Sequence, residues 1–117
     1  MPTSHNKLIT PMQEAQLKSN GRIQRALHHQ GDYVDLKPVV RLIFKPTNAS
    51  WLITEILPDN PDQVYGLCDY GKSTPCLGWF SLTELAKIKG MLGETVTNDL
   101  TFKATKTIQE YAHEAQA

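Results

Sequence analysis

Cysteine is scarce, with two in 117 residues, and no stretch is an apolar run long enough to span a bilayer. The first absence argues against a disulfide-stapled framework, and the second leaves no membrane segment to expect. Charge of one sign is missing too, because twelve basic and twelve acidic residues cancel and no block of like charge exceeds two residues. A protein held by phosphate-backbone attraction normally carries a basic excess, and one that imitates DNA is strongly acidic. Neither pattern is present, so nucleic acid is not an indicated partner. The start, Met1-Pro2-Thr3-Ser4-His5-Asn6-Lys7-Leu8-Ile9, lacks the long apolar region of a secretory signal, which leads to the expectation of a cytoplasmic protein. His5, His28, His29 and His113 sit in no Cys/His spacing that resembles a zinc module, and no metal or cofactor is expected.

What is present is enough for one core. A chain of this length forms a single domain, 1–117, with 1–7 expected to be a flexible N-terminus. Its most decided stretch is 50–90. Trp51 to Leu57 reads as a strand, Pro58-Asp59-Asn60-Pro61 as a turn, Gln63 to Tyr70 as a second strand and Cys76 to Phe80 as a short third. Ser81-Leu82-Thr83-Glu84 is a capping box, and Phe80 with Leu85 forms the hydrophobic staple that turns the chain from sheet into a helix over Leu82 to Lys89. Cys68 and Cys76 straddle the Gly71 turn and could face each other across the hairpin. In a reducing compartment both are expected to remain thiols.

The flanks are read in the same way. Thr10, Pro11 and Gln13 start a helix that Asn20-Gly21 is expected to end, and Ile23, Ala26 and Leu27 suggest a second short helix up to Gln30-Gly31. Asp32 to Pro38 reads as a connecting loop. From Val39 the period is two, with Val40, Leu42 and Phe44 on one side, until Pro46 stops the strand. A last strand is expected over Leu100 to Ala104. Thr107 and Glu110 then cap a C-terminal helix whose stripe is Ile108, Tyr111, Ala112 and Ala115. The order predicts an α+β fold: a mostly antiparallel sheet of four to five strands, short N-terminal helices, a helix after the central meander and a C-terminal helix.

Gly66-Leu67-Cys68-Asp69-Tyr70-Gly71-Lys72-Ser73 matches the phosphate-loop pattern of nucleotide hydrolases. That chemistry needs a long helix directly after the loop, whose N-terminal N–H groups cradle the phosphates. Thr74-Pro75 and a strand follow instead, so the match reads as a hairpin with Gly71 at its tip.

The carboxylate that stands out is Glu55. Simple alternation puts Trp51, Ile53, Glu55 and Leu57 on one face, an acid among large apolar neighbours whose burial would need a partner. Arg41 or a lysine is one candidate partner in a structural role; Asp99 and Asp69 are possible companions in a catalytic one. Bulk on both faces of the central strands leaves two outcomes, a face covered by helices or an exposed aromatic patch. The candidate binding residues are Trp51, Glu55, Tyr65 and Trp79.

The run Trp51 to Asp59, then Tyr65-Gly66-Leu67, then Leu77 to Leu85, then Asn98-Asp99-Leu100-Thr101-Phe102, resembles a family of small bacterial proteins catalogued as a domain of unknown function, the twenty-nine-fifty-eight family. Leu8-Ile9-Thr10 is similar to the family's opening, and Leu77 to Leu85 is the most specific part. Members are typically encoded on plasmids, integrative elements and phages. The resemblance therefore implies an accessory protein of a mobile genetic element, with no activity to carry over. Two readings of function follow: a non-enzymatic module that binds another protein, including a counter-defence role, or a small hydrolytic enzyme using Glu55 with Asp99 or Asp69.

Overall fold

The long strands β2 (Ala49–Leu57) and β3 (Asn60–Asp69) organise the molecule. In the computed structural model, which describes residues 8–71 and 74–116, they are flanked by β1 (Val40–Phe44), β4 (Cys76–Ser81) and a two-residue β5 (Thr97–Asn98). The order is β4-β3-β2-β1-β5, and every pair is antiparallel. Among the described residues three α-helices, α1 (Pro11–His28), α2 (Leu82–Ala86) and α3 (Ile108–Ala115), and a 3-10 turn at Lys45–Thr47 complete the α+β fold. The expected flexible segment 1–7 lies outside the described residues.

The hairpins follow their turn chemistry. Leu57 pairs with Asn60, so Pro58 and Asp59 form the two-residue turn between β2 and β3. At the other end Gly71 adopts φ 80°, and Cys68 pairs with Cys76 across the β3–β4 ladder, both as free thiols, one buried and one exposed. Burial pushes the Cys68 thiol up to about 11, helped by the neighbouring Cys76. Gly66 is a mid-strand residue opposite Gly78. The phosphate-loop pattern is thus strand from Gly66 to Asp69; Lys72 and Ser73 lie outside the described residues.

Three expectations about element ends are corrected, at α1, at the last strand and at the end of α2. The N-terminal segment is one 18-residue helix, begun by the Thr10/Gln13 capping box and continuing through Asn20-Gly21. Helix and sheet approach so closely at Gly21 that a Cβ there would lie 1.9 Å from the Ile56 carbonyl oxygen, and Asn20 Nδ2 donates to the Thr54 carbonyl at 2.9 Å. Those two residues, helix breakers in isolation, are the docking point of α1 on β2, and tertiary contact overrides their local preference. The last strand is also displaced, to Thr97–Asn98, where Leu42 pairs with Asn98. Asp99 then accepts from the Thr101 N–H and hydroxyl, which bends 99–102 into a turn and leaves Leu100 exposed.

The main core lies between α1 and the sheet, where Leu17, Val40, Leu42, Trp51, Ile53, Ile56 and Val64 are sealed from solvent. A smaller cluster on the opposite face joins Leu52 and Leu67 to Ile108 and Ala112 of α3. Ser81 caps α2, accepting from the Glu84 N–H at 3.2 Å, but only this half of the expected box forms, because Ser81 is still paired with Gln63 in the sheet, and the helix ends at Ala86 rather than Lys89. Asp62 of β3 does the rest: it accepts from the Ser81 hydroxyl, from the Thr83 N–H at 2.8 Å and from the Thr83 hydroxyl at 2.7 Å. Asp35 plays the same part for α3, taking the Thr107 hydroxyl at 2.6 Å and the Gln109 N–H at 3.1 Å.

Candidate functional site

A β-bulge decides where Glu55 goes. The β2–β3 register passes from Ile53↔Gly66 to Glu55↔Tyr65, so two residues of β2 advance while β3 advances one. Simple alternation therefore fails at Thr54, and Glu55 moves from the Trp51/Ile53 face to the face of its partner Tyr65. Tyr65 in turn pairs with Trp79, and the two rings meet edge to face at a centroid distance of 5.3 Å. Trp51 stays on the α1 side, 1 % exposed, in an edge contact with Tyr70. Of the four binding residues read from the sequence, the structure brings Glu55, Tyr65 and Trp79 together and leaves Trp51 out.

The three line a hollow of about 470 Å³ with Gly21, Gln24, Arg25 and His28 of α1, His29, Asp32 and Tyr33 after it, and Leu57 and Pro58 of the hairpin turn. The end of α1 shapes one wall. Gly31, at φ 74°, reverses the chain, with its N–H bonded to the His28 carbonyl and the Asp32 N–H to the Leu27 carbonyl. Gln24 then ties the returning loop to the helix through both of its side-chain atoms, donating to the Val34 carbonyl at 2.6 Å and accepting from the Val34 N–H at 3.2 Å. This clasp delivers Tyr33 to the hollow.

Glu55 is 7 % exposed, and none of the ion pairs among the described residues includes it. Burial holds its carboxyl above the usual carboxylate range, opposed in part by hydrogen bonds with Thr54 and Gln24. The Thr54 hydroxyl donates to it at 3.1 Å. Burial also raises the Tyr65 phenol, and the proximity of Tyr33, Glu55 and Asp35 adds to this. Arg25 is engaged at the rim in a two-pronged pair with Asp59, at 2.9 and 2.7 Å, which holds the Asp59 carboxyl below its ordinary value.

The other sequence candidates lie elsewhere. Arg41 pairs with Asp99 at 2.9 Å beside β5, at the opposite edge of the sheet from Trp79. Asp69, opposite Ser50 at the far end of β3, accepts from the Gly71 N–H. Neither lines the Glu55 hollow. Among the described residues no group of three His, Cys, Asp or Glu side chains could hold a metal ion, and no helix is long and apolar enough to cross a membrane. Sequence reasoning missed Tyr33, Gln24 and the end of α1 as site components. Their only signal is a tyrosine between Asp32 and Asp35 in a loop otherwise without pattern, and nothing in linear spacing connects it to Glu55.

A family model described as a protein of unknown function (DUF2958) matches residues 8–117. The chain belongs to that family. The match includes every residue of the hollow, so the site of this DUF2958 protein lies within the family domain. No curated protein and no solved structure matches the chain.

Proposed function

We propose that this DUF2958 protein is a non-enzymatic module that binds another protein through the Glu55/Tyr65/Trp79 hollow. It acts as a cytoplasmic accessory protein of a mobile genetic element, occluding a host or element-encoded protein, as a counter-defence factor would. The observation that carries the binding reading is the union of a buried acid with a tryptophan that remains 47 % exposed. Large aromatic rings flanking a desolvated polar group are the usual composition of an interface anchor. The setting on a plasmid or phage rests on the family resemblance. The hydrolytic reading takes Asp99 or Asp69 as the companion acid of Glu55, and both are bonded elsewhere.

The test is capture from the native host with the wild-type protein and Trp79→Ala as parallel baits. Trp79 is half exposed and meets the Tyr65 ring, so its truncation should cost about 1–2 kcal/mol, leave the protein folded and abolish capture of a discrete partner. Retention of that partner by Trp79→Ala and by Glu55→Gln, with both variants folded, sinks the assignment.

A further inference from the structure

We infer that the hollow receives one organic cation, the guanidinium or ammonium head of a basic side chain on the partner. This rests on the binding reading above and specifies its chemistry. Glu55 is sealed under the hollow without a cation among the described residues, and Arg25, the strongest positive group in the lining, is held by Asp59. Glu55 and Asp32 are the acids of the lining, and no ion pair among the described residues offsets either.

Two further features act in the same direction. The negative pole of the 18-residue helix α1 lies at this hollow, because His28, its last residue, is in the lining. Tyr33, Tyr65 and Trp79 line the hollow with aromatic rings, a residue type whose faces carry the negative lobe of the quadrupole and attract cations, guanidinium most often. An anion would meet two carboxylates and the negative helix end. An uncharged apolar group would leave Glu55 buried beneath it with no counter-charge, which is costly. A cation on an aliphatic stem satisfies both demands, the head against Glu55 and the stem along Tyr65 and Trp79.

The experiment is an NMR titration of the full chain at about pH 8, following the Trp79 indole N–H and the Tyr65 amide. The probes are a blocked arginine (Nα-acetyl-arginine methylamide), the isosteric uncharged citrulline analogue, and N-propylguanidinium, which has the head and stem of arginine without peptide flanks. Blocked arginine should give a saturable shift, and citrulline should bind about tenfold more weakly or not at all. Glu55→Gln should weaken the arginine probe by a similar factor and leave citrulline unaffected. Trp79→Phe, which keeps a ring, should retain more binding than Trp79→Leu.

Equal binding of citrulline and arginine, or no response to either, overturns the inference. N-propylguanidinium binding more tightly than blocked arginine also overturns it, because the site would then serve a small free cation rather than a protein side chain. The two levels separate cleanly. If Trp79→Ala loses the captured partner while citrulline matches arginine, the cation inference falls and the binding reading stands. If capture is unchanged and no probe binds, both fall.

Discussion

The two faces of this sheet use the same strands and end in different states. On one face α1, with 18 residues, extends about 27 Å at the helical rise. It covers Trp51, Ile53, Ile56 and Val64, each no more than 1 % exposed. On the other, α3 has eight residues and reaches only about 12 Å, while the ten residues of β3 extend about 33 Å. It covers Leu52 and Leu67 and stops short of Tyr65 and Trp79. The open ground on that face follows from the shortness of α3, the end of α1 and the loop after it wall it in at the hairpin turn, and the β2 bulge brings the buried acid to it. The covered face stabilises the fold; the half-covered face has room for a ligand.

The largest expected effect comes where the two faces share a wall. A Cβ on Gly66 would lie 1.8 Å from the Leu52 carbonyl oxygen, which is backbone and cannot swing aside. Gly66→Ala should therefore prise β2 from β3 and cost about 5 kcal/mol or more in a urea melt, the exceptional end for a single substitution. An unchanged midpoint would mean that the central ladder is far looser than its register implies.

The second test contrasts the faces directly. Leu17→Ala empties a site with 0 % exposure inside the main core and should cost near the top of the range of about 2–5 kcal/mol for such truncations. Ile108→Ala should fall near the bottom, because Leu77, Phe102 and Tyr111 around it are only partly buried and can close the gap. If Ile108→Ala proves the costlier, the asymmetry between the faces is broken.

Smaller again is the cap. Ser81→Ala removes one acceptor from the start of α2, while Asp62 continues to hold Thr83, so the loss should be about 1 kcal/mol. Ser81 lines no part of the hollow, and partner capture should be unchanged. A variant that keeps its melting temperature and loses the partner would move the site to α2.

The smallest effect at neutral pH, and the most diagnostic of the open face, belongs to Glu55→Gln. The carboxyl titrates above its ordinary 4.5 in the folded chain, so over the window just above that value the native state holds more proton than the unfolded one. Stability then falls as pH rises through that window. Glu55→Gln should flatten this dependence and leave the variant as stable as wild type, or more so, at neutrality. A stability loss in Glu55→Gln at neutral pH, with wild-type stability rising rather than falling with pH around that value, would reveal an ion pair at Glu55 and remove the case for an unneutralised acid.

Much of this was legible in the sequence because it depends on neighbours along the chain. The Thr10/Gln13 and Thr107/Glu110 boxes, the Ser81 cap, the Pro58-Asp59 turn and the antiparallel meander all follow from backbone groups being satisfied within a few residues. Tertiary structure alone decided the rest. Whether Asn20-Gly21 ends a helix or docks one depends on the Thr54 and Ile56 carbonyls, more than thirty residues away. Which face carries Glu55 depends on one extra residue at Thr54, since strand alternation has period two and a single insertion exchanges the faces. The assembly of Tyr33, Glu55, Tyr65 and Trp79 depends on a bulge, a left-handed glycine and a glutamine clasp acting together, and none of these has a spacing that linear order could reveal.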